Sequence, residues 1–284
     1  MALRINYNLA ASVAQRSLGA SQDNYARQAE KLATGLRINK AGDDAAGMAV
    51  SERLKNQVRG LNQAQRNAQD GISMVQTAEG AMSEAHTILA RMRELAIQAS
   101  NDTVTGNDRV NLQVEFSSLY SEIDRIASST QFNGTAVLNG SNGNGLTLQI
   151  GANKNSGGDN AITLNISPTS GFQPTRLDAS FTGAGASITS QSLASATITV
   201  LDSAVNAVST ARASLGALQS RLESASRSIA VASENAAAAN SRIADADIAD
   251  SMSELVRAQI LQQAGISVLA QANQAPSLVL QLLK

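Results

Sequence analysis

The stretch "LKNQVRGLNQAQRNAQDGISMVQTAEGAMSEAHTILARMRELAIQA", Leu54 to Ala99, contains no proline, and its apolar residues return every seven positions. Leu54, Leu61, Ala68, Val75, Met82, Leu89 and Ala96 make one row. Three places after each stand Gln57, Ala64, Gly71, Ala78, Ala85, Met92 and Ala99. Steps of three and four place both rows on one helical face, where wide and small side chains alternate as a seam for close helix packing.

A mate for this seam lies far downstream. Leu201, Val208, Leu215, Leu222, Ile229, Ala236 and Ile243 repeat the pattern, partnered by Ala204, Ala211, Leu218, Ala225, Ala232 and Ala239. Between them Leu112, Phe116, Leu119, Ile123 and Ile126 mark a third helix after the loop "NDTVTGND". The expected bundle core is Leu54, Leu61, Val75, Met82 and Leu89 from the first helix and Leu201, Val208, Leu215, Leu222 and Ile229 from the last.

Composition agrees with rods. The 284 residues are 43% hydrophobic but only 2% aromatic, so aliphatic side chains must make contacts along thin interfaces. The three prolines, Pro168, Pro174 and Pro276, leave residues 1–167 and 175–275 free of the strongest helix breaker. Ten of the twenty glycines cluster from Gly134 to Gly185. There "LTLQIG" and "AITLNI" alternate apolar and polar, with Leu146, Leu148, Ile150 and Ile162, Leu164, Ile166 on one face, which predicts a small β element in mid-chain.

"LATGLRINKAGDDAAGMAVSERL", Leu32 to Leu54, begins and ends as helix but is interrupted. Gly35 and Gly42 permit a break, and Asp43 or Asp44 restarts the helix by capping free N–H groups. The two ends of the chain, residues 1–34 and 243–275, are rich in Ala, Ser and Gln. They carry thin apolar stripes: Ile5, Leu9 and Val13 at one end, Ile248, Met252, Leu255, Ile260, Ala264 and Val268 at the other. Such stripes do not offset an ordering cost of roughly 1.5 kcal/mol per residue, so these ends are expected to fold only against neighbours.

Catalytic chemistry has no visible seat. The single histidine, His86, lies beside the long seam with no Cys or second His to join it, and reads as structural. Asp245, Asp247 and Asp250 in "DADIAD" lack the Gly and distal Glu of a calcium loop, and Ile243 and Ile248 around them read as helix. "GANKNSGGDN" lacks the Lys and Ser/Thr of a phosphate cradle and reads as a hairpin loop. With no cysteine there are neither disulfides nor thiolate sites, and no cofactor or metal is expected. A net charge of −1 supplies no field for nucleic acid, and no run suits membrane insertion. The N-terminus shows no secretory signal pattern, which taken alone points to the cytosol.

The motifs "LATGLRINKAGDDAAGMAVSERL", "RMRELAIQASND", "EIDRIASSTQFNG", "LQIGAN" and "SRIADADIADSMSELVRAQILQQAGISVLAQANQ" closely resemble bacterial flagellin, in order and over most of the chain. The resemblance implies a mainly α fold: a long heptad-patterned bundle, a small β-hairpin in mid-chain and terminal helices forming an inner coiled coil. It divides the chain into an inner-tube helix with spoke (1–42), the N-terminal part of the bundle (43–133), a β-hairpin with a short variable region (134–190), the C-terminal bundle helix (191–242) and the C-terminal inner-tube helix (243–284).

The function so implied is that of a structural, non-enzymatic subunit polymerising into the flagellar filament. The hook–filament junction protein, which shares the terminal design, is the nearest alternative. Export unfolded through the flagellar type III apparatus, without a cleaved signal, replaces the cytosol by an extracellular location. The implied partners are further copies of the chain, an export chaperone, the cap and hook–filament junction proteins, and host flagellin receptors. For the animal receptor the matching residues are Arg91, Leu95 and Glu115, with Leu95 expected to fill an apolar pocket. For the plant receptor kinase the segment Glu30 to Ser51 corresponds, with Asp43, Asp44 and Gly47.

Overall fold

A computed structural model describes residues 8–139, 146–154, 160–164 and 187–282. Helices α1 (Leu9–Thr34), α2 (Ala45–Ala99) and α3 (Gly106–Ser129) are followed by strands β1 (Gln131–Phe132), β2 (Thr135–Ala136), β3 (Leu146–Gln149) and β4 (Ala161–Leu164), then α4 (Gln191–Ala244) and α5 (Ile248–Leu282). The described residues are mainly α, as the heptads predict. They form two units: a central one, Arg59–Ser233, and a terminal one, Met1–Val58 with Glu234–Lys284.

The central unit holds the larger core. Met82, Leu89, Met92 and Leu95 of α2, Phe116 and Ile123 of α3, and Leu201 and Leu215 of α4 are fully buried. Leu61, Val75, Val208, Leu222 and Ile229 are buried as expected, because the seam keeps one face turned inward over many turns. Leu54, which lies in the terminal unit, is only half-buried and leaves the expected core. Polar pairs flank the seam: Arg93 donates to Asp202 at 2.6 Å and Arg212 to Glu79 at 3.1 Å. At the turn into α3, Thr105 and Asp108 form a reciprocal capping box, and Arg109 donates to the carbonyl oxygens of Ala99 and Asn101. The Thr105 hydroxyl and N–H hold the Asp108 carboxyl below its usual range.

Strands β3 and β4 pair antiparallel, Leu146 opposite Leu164 and Leu148 opposite Ile162, and lay these side chains on the bundle core. Ile166 lies outside the described residues. The sequence reading missed the hairpin β1–β2. Its turn is Asn133-Gly134, with φ of 49° and 75°, the left-handed pair that a two-residue hairpin loop requires.

Candidate functional site

The interruption between α1 and α2 is built residue by residue. Gly35, at φ 70°, ends α1 and donates its N–H to the Lys31 oxygen at 2.8 Å. The Asp43 carboxylate accepts from the N–H groups of Lys40 (3.0 Å) and Asn39 (3.1 Å), which hold its carboxyl below the usual range, Lys40 contributing most. Asp44 caps α2, accepting from Gly47 N–H at 2.8 Å. A Cβ on Gly47 would run into that carboxylate and stand 2.8 Å from Ile38 Cδ1, so a larger residue there must push both side chains aside. Gly42 has neither a left-handed φ nor a crowded Cβ direction, so the break does not depend on it.

A second interruption separates α4 from α5, and here the reading of "DADIAD" as helix is corrected. Asp245 forms an isolated antiparallel bridge with Leu36, and Asp247 caps α5 by accepting from Ala249 and Asp250 N–H. Arg37 N–H donates to Ala244 O at 2.7 Å and Ala246 N–H to Gly35 O at 2.9 Å. The Arg37 guanidinium donates to Ile243 O from Nη2 (2.7 Å) and Nε (3.2 Å). Each break supplies hydrogen-bond partners that the other needs. Ser51 and Asn240, bonded at 2.7 Å, add a polar contact in the same unit.

From this junction α1 and α5 pack side by side, Leu18 meeting Gly265 and Asn8 donating to Ala272 O. Their buried face is small: Ala14 on α1, Ser251 and Ala258 on α5. The expected terminal stripes do not form it. Leu9 is 61% exposed, and Val13, Ile248, Met252, Ile260 and Val268 are exposed with it, while Ile5 lies outside the described residues. These large side chains were legible as apolar stripes, but the row that α5 buries, Ser251 and Ala258, is small, and Leu18 of α1 packs on Gly265. These side chains are left uncovered by the chain itself.

The receptor-matching residues separate. Arg91 donates to Glu115 Oε1 from Nε and Nη2 (2.9 Å each) and to Glu94 Oε2 (3.0 Å), and all three are exposed. Leu95 is 1% exposed and belongs to the bundle core, which corrects its expected role in filling a partner's pocket: its turn of α2 faces the seam. Asp43 and Asp44 are engaged in the junction and Gly47 is packed, as described above. His86 is half-buried, and its Nδ1 has no hydrogen-bond partner. Among the described residues no cluster of His, Asp and Glu is arranged to hold a metal ion, and no helix is long and apolar enough to cross a membrane.

Residues 5–143 match the model of the bacterial flagellin N-terminal helical region, and residues 198–283 that of the C-terminal helical region. The chain is 47% identical to the flagellin of Halalkalibacterium halodurans over 281 residues, covering 99% of each. It is 44% identical to the flagellar filament 30.7 kDa core protein of Treponema maltophilum, over 98% of this chain and 99% of that protein. With the flagellin of Bacillus subtilis identity is 42%, over 99% of each chain. A crystal structure of Bacillus cereus flagellin, 30% identical, covers 58% of this chain and 88% of its own, with a TM-score of 0.49. Two family models and full-length relatives thus coincide with a helical bundle whose chain ends expose large apolar side chains: the chain belongs to the bacterial flagellin family.

Proposed function

We propose that the protein is the structural subunit of a flagellar filament and polymerises through the exposed apolar side chains of α1 and α5. The chain is a filament subunit and not an enzyme, and the hook–filament junction alternative is not favoured, because the relatives are named flagellin or filament core protein. The observation that carries the mechanism is the exposure of Leu9, Ile248, Ile260 and Val268 on helices whose buried residues are only Ala14, Ser251 and Ala258. Exposed apolar side chains of this kind, repeated on every copy, are stabilised when neighbouring copies cover them. Ile260→Asp, on an exposed turn of α5, tests this: sedimentation and electron microscopy should find folded monomer and no filaments. Normal filaments from that variant would refute the role of these side chains.

Filaments of this family act outside the cell. Export as an unfolded chain, without a cleaved signal, belongs with this proposal, as do an export chaperone, a cap and hook–filament junction proteins as partners. We further propose that host receptors meet the monomer at the exposed Arg91–Glu115 pair, where the forked guanidinium suits a charged contact. Arg91→Asp should then weaken receptor activation while leaving thermal stability of the monomer unchanged. Full activity of that variant would remove the pair from the receptor site. A plant receptor reading the Glu30–Ser51 segment would compete with the junction for Asp43 and Asp44, so its ligand is the segment released from the fold.

A further inference from the structure

The seam between α1 and α5 repeats every seven residues: Ser251, Ala258, Gly265 and Ala272 fall in one row of α5, each small. Opposite Leu18 stands Gly265, whose added Cβ would lie 3.3 Å from Leu18 Cδ1 and 3.7 Å from Leu18 Cβ. Sliding α5 by one heptad would put Ala258 or Ala272 in that place, and its methyl would need the end of the flexible Leu18 side chain to yield by a few tenths of an ångström. Packing therefore discriminates between registers only by that small adjustment and by the buried Ser251 hydroxyl, less than a large or charged seam position would. The Asn8 amide does not choose either, since every turn of α5 presents a backbone oxygen like that of Ala272.

The junction does choose. The last carbonyls of a helix have no partner within it, and at the end of α4 these include Ile243 O and Ala244 O. The Arg37 guanidinium places two N–H groups on one of them, Ile243 O, while its backbone N–H takes the next, Ala244 O. A cation there also complements the helix dipole. Because α1 ends at Thr34 and α5 begins at Ile248, holding Arg37 to the end of α4 fixes where α1 starts against α5.

We propose that Arg37 is a positioning residue that sets the axial register of α1 against α5 by recognising the end of α4. This assignment rests on the filament reading, since the register matters where α1 and α5 meet neighbouring copies.

The test uses filaments of the full chain, which has no cysteine of its own. Leu18→Cys with Gly265→Cys places two Cβ atoms within disulfide range. Leu18→Cys with Ala272→Cys is displaced by one heptad, about 10.5 Å along the helix, and is out of reach in the native register. Non-reducing gels and peptide mass spectrometry separate bonds within a chain from bonds between chains.

With Arg37 present, the first pair should close nearly completely and the second only in traces. Arg37→Ala should lower the first severalfold and raise the second, and Arg37→Lys, which keeps a cationic donor, should restore most of the native pattern. An unchanged pattern in Arg37→Ala would overturn the proposal. If that variant does not polymerise alone, it is added as a minority to seeded growth of the parent chain, and the same bonds are read. Exclusion even from those filaments would show a need beyond register and would also overturn it. Failure of the parent cysteine pairs to polymerise at all would count instead against the filament reading.

Discussion

Leu215→Ala measures the seam directly. Leu215 is 1% exposed within the central unit, in the cluster that contains Met82, Leu89 and Phe116. The substitution removes three carbons, about 2.4 kcal/mol of transfer free energy at roughly 0.8 per methylene. A residual cavity between two long helices adds to this, for a total of about 3–4 kcal/mol. At roughly 2–4 °C per kcal/mol for a domain of this size, the melting midpoint should fall by about 6–16 °C. Val231, on the same helix but 58% exposed, is the control: Val231→Ala should stay within about 0.5 kcal/mol of the parent. Far-UV circular dichroism of the full-length monomer, by heating and by urea titration, reads both variants. Equal shifts for the two, or none for Leu215→Ala, would mean that the assigned seam does not carry the stability of the bundle.

Two glycines of α2 should respond in opposite ways. Gly80→Ala, with open space around its Cβ direction, should stabilise the monomer by about 0.5–1 kcal/mol, whereas Gly47→Ala must displace Asp44 from its cap and should lower filament stability to heat; a gain at Gly47 would contradict the packing described. Because the Asp43 carboxyl is held below its usual range by Lys40 and Asn39 N–H, its contribution is present above the unfolded value near ~3.9 and lost as pH falls through the lower folded value. Hydrogen exchange of filaments should therefore show protection at Asn39 and Lys40 that disappears in acid, and in Asp43→Ala at neutral pH; protection unchanged in that variant would refute the carboxylate's role. Limited proteolysis of free monomer should trim both ends and leave a central fragment, while filaments resist; uniform resistance of the monomer would refute the expectation that the ends are ordered by neighbours.

Periodicity made the central unit legible, because a heptad kept over many turns admits one inward face. Leu61 to Ala96 and Leu201 to Leu222 are buried for that reason. The same logic placed Leu54 in the core at the end of its row, where it is only half-buried. Leu95 was misassigned because a motif identifies a residue and not the side of the helix it faces. "DADIAD" read as helix since its flanks are apolar, but Asp245 is drawn out by Leu36, a contact 209 positions away that no local pattern announces. Asn133-Gly134 did carry a local signal, and a two-residue loop between short strands was there to be read. At the chain ends the sequence shows which residues are apolar; only the folded pair shows that α1 and α5 meet through Ala14, Ser251 and Ala258 and turn the larger ones outward.

Those outward side chains have a thermal consequence. Covering Leu9, Ile248, Ile260 and their neighbours removes apolar surface from water, and such burial carries a negative heat-capacity change, with water entropy as its driving force near room temperature. The attraction therefore weakens on cooling and is strengthened by salts excluded from protein surfaces, such as sulfate. Since each copy repeats the same joint, a small loss at one contact recurs along the whole polymer, and its critical concentration should rise as the solution is chilled.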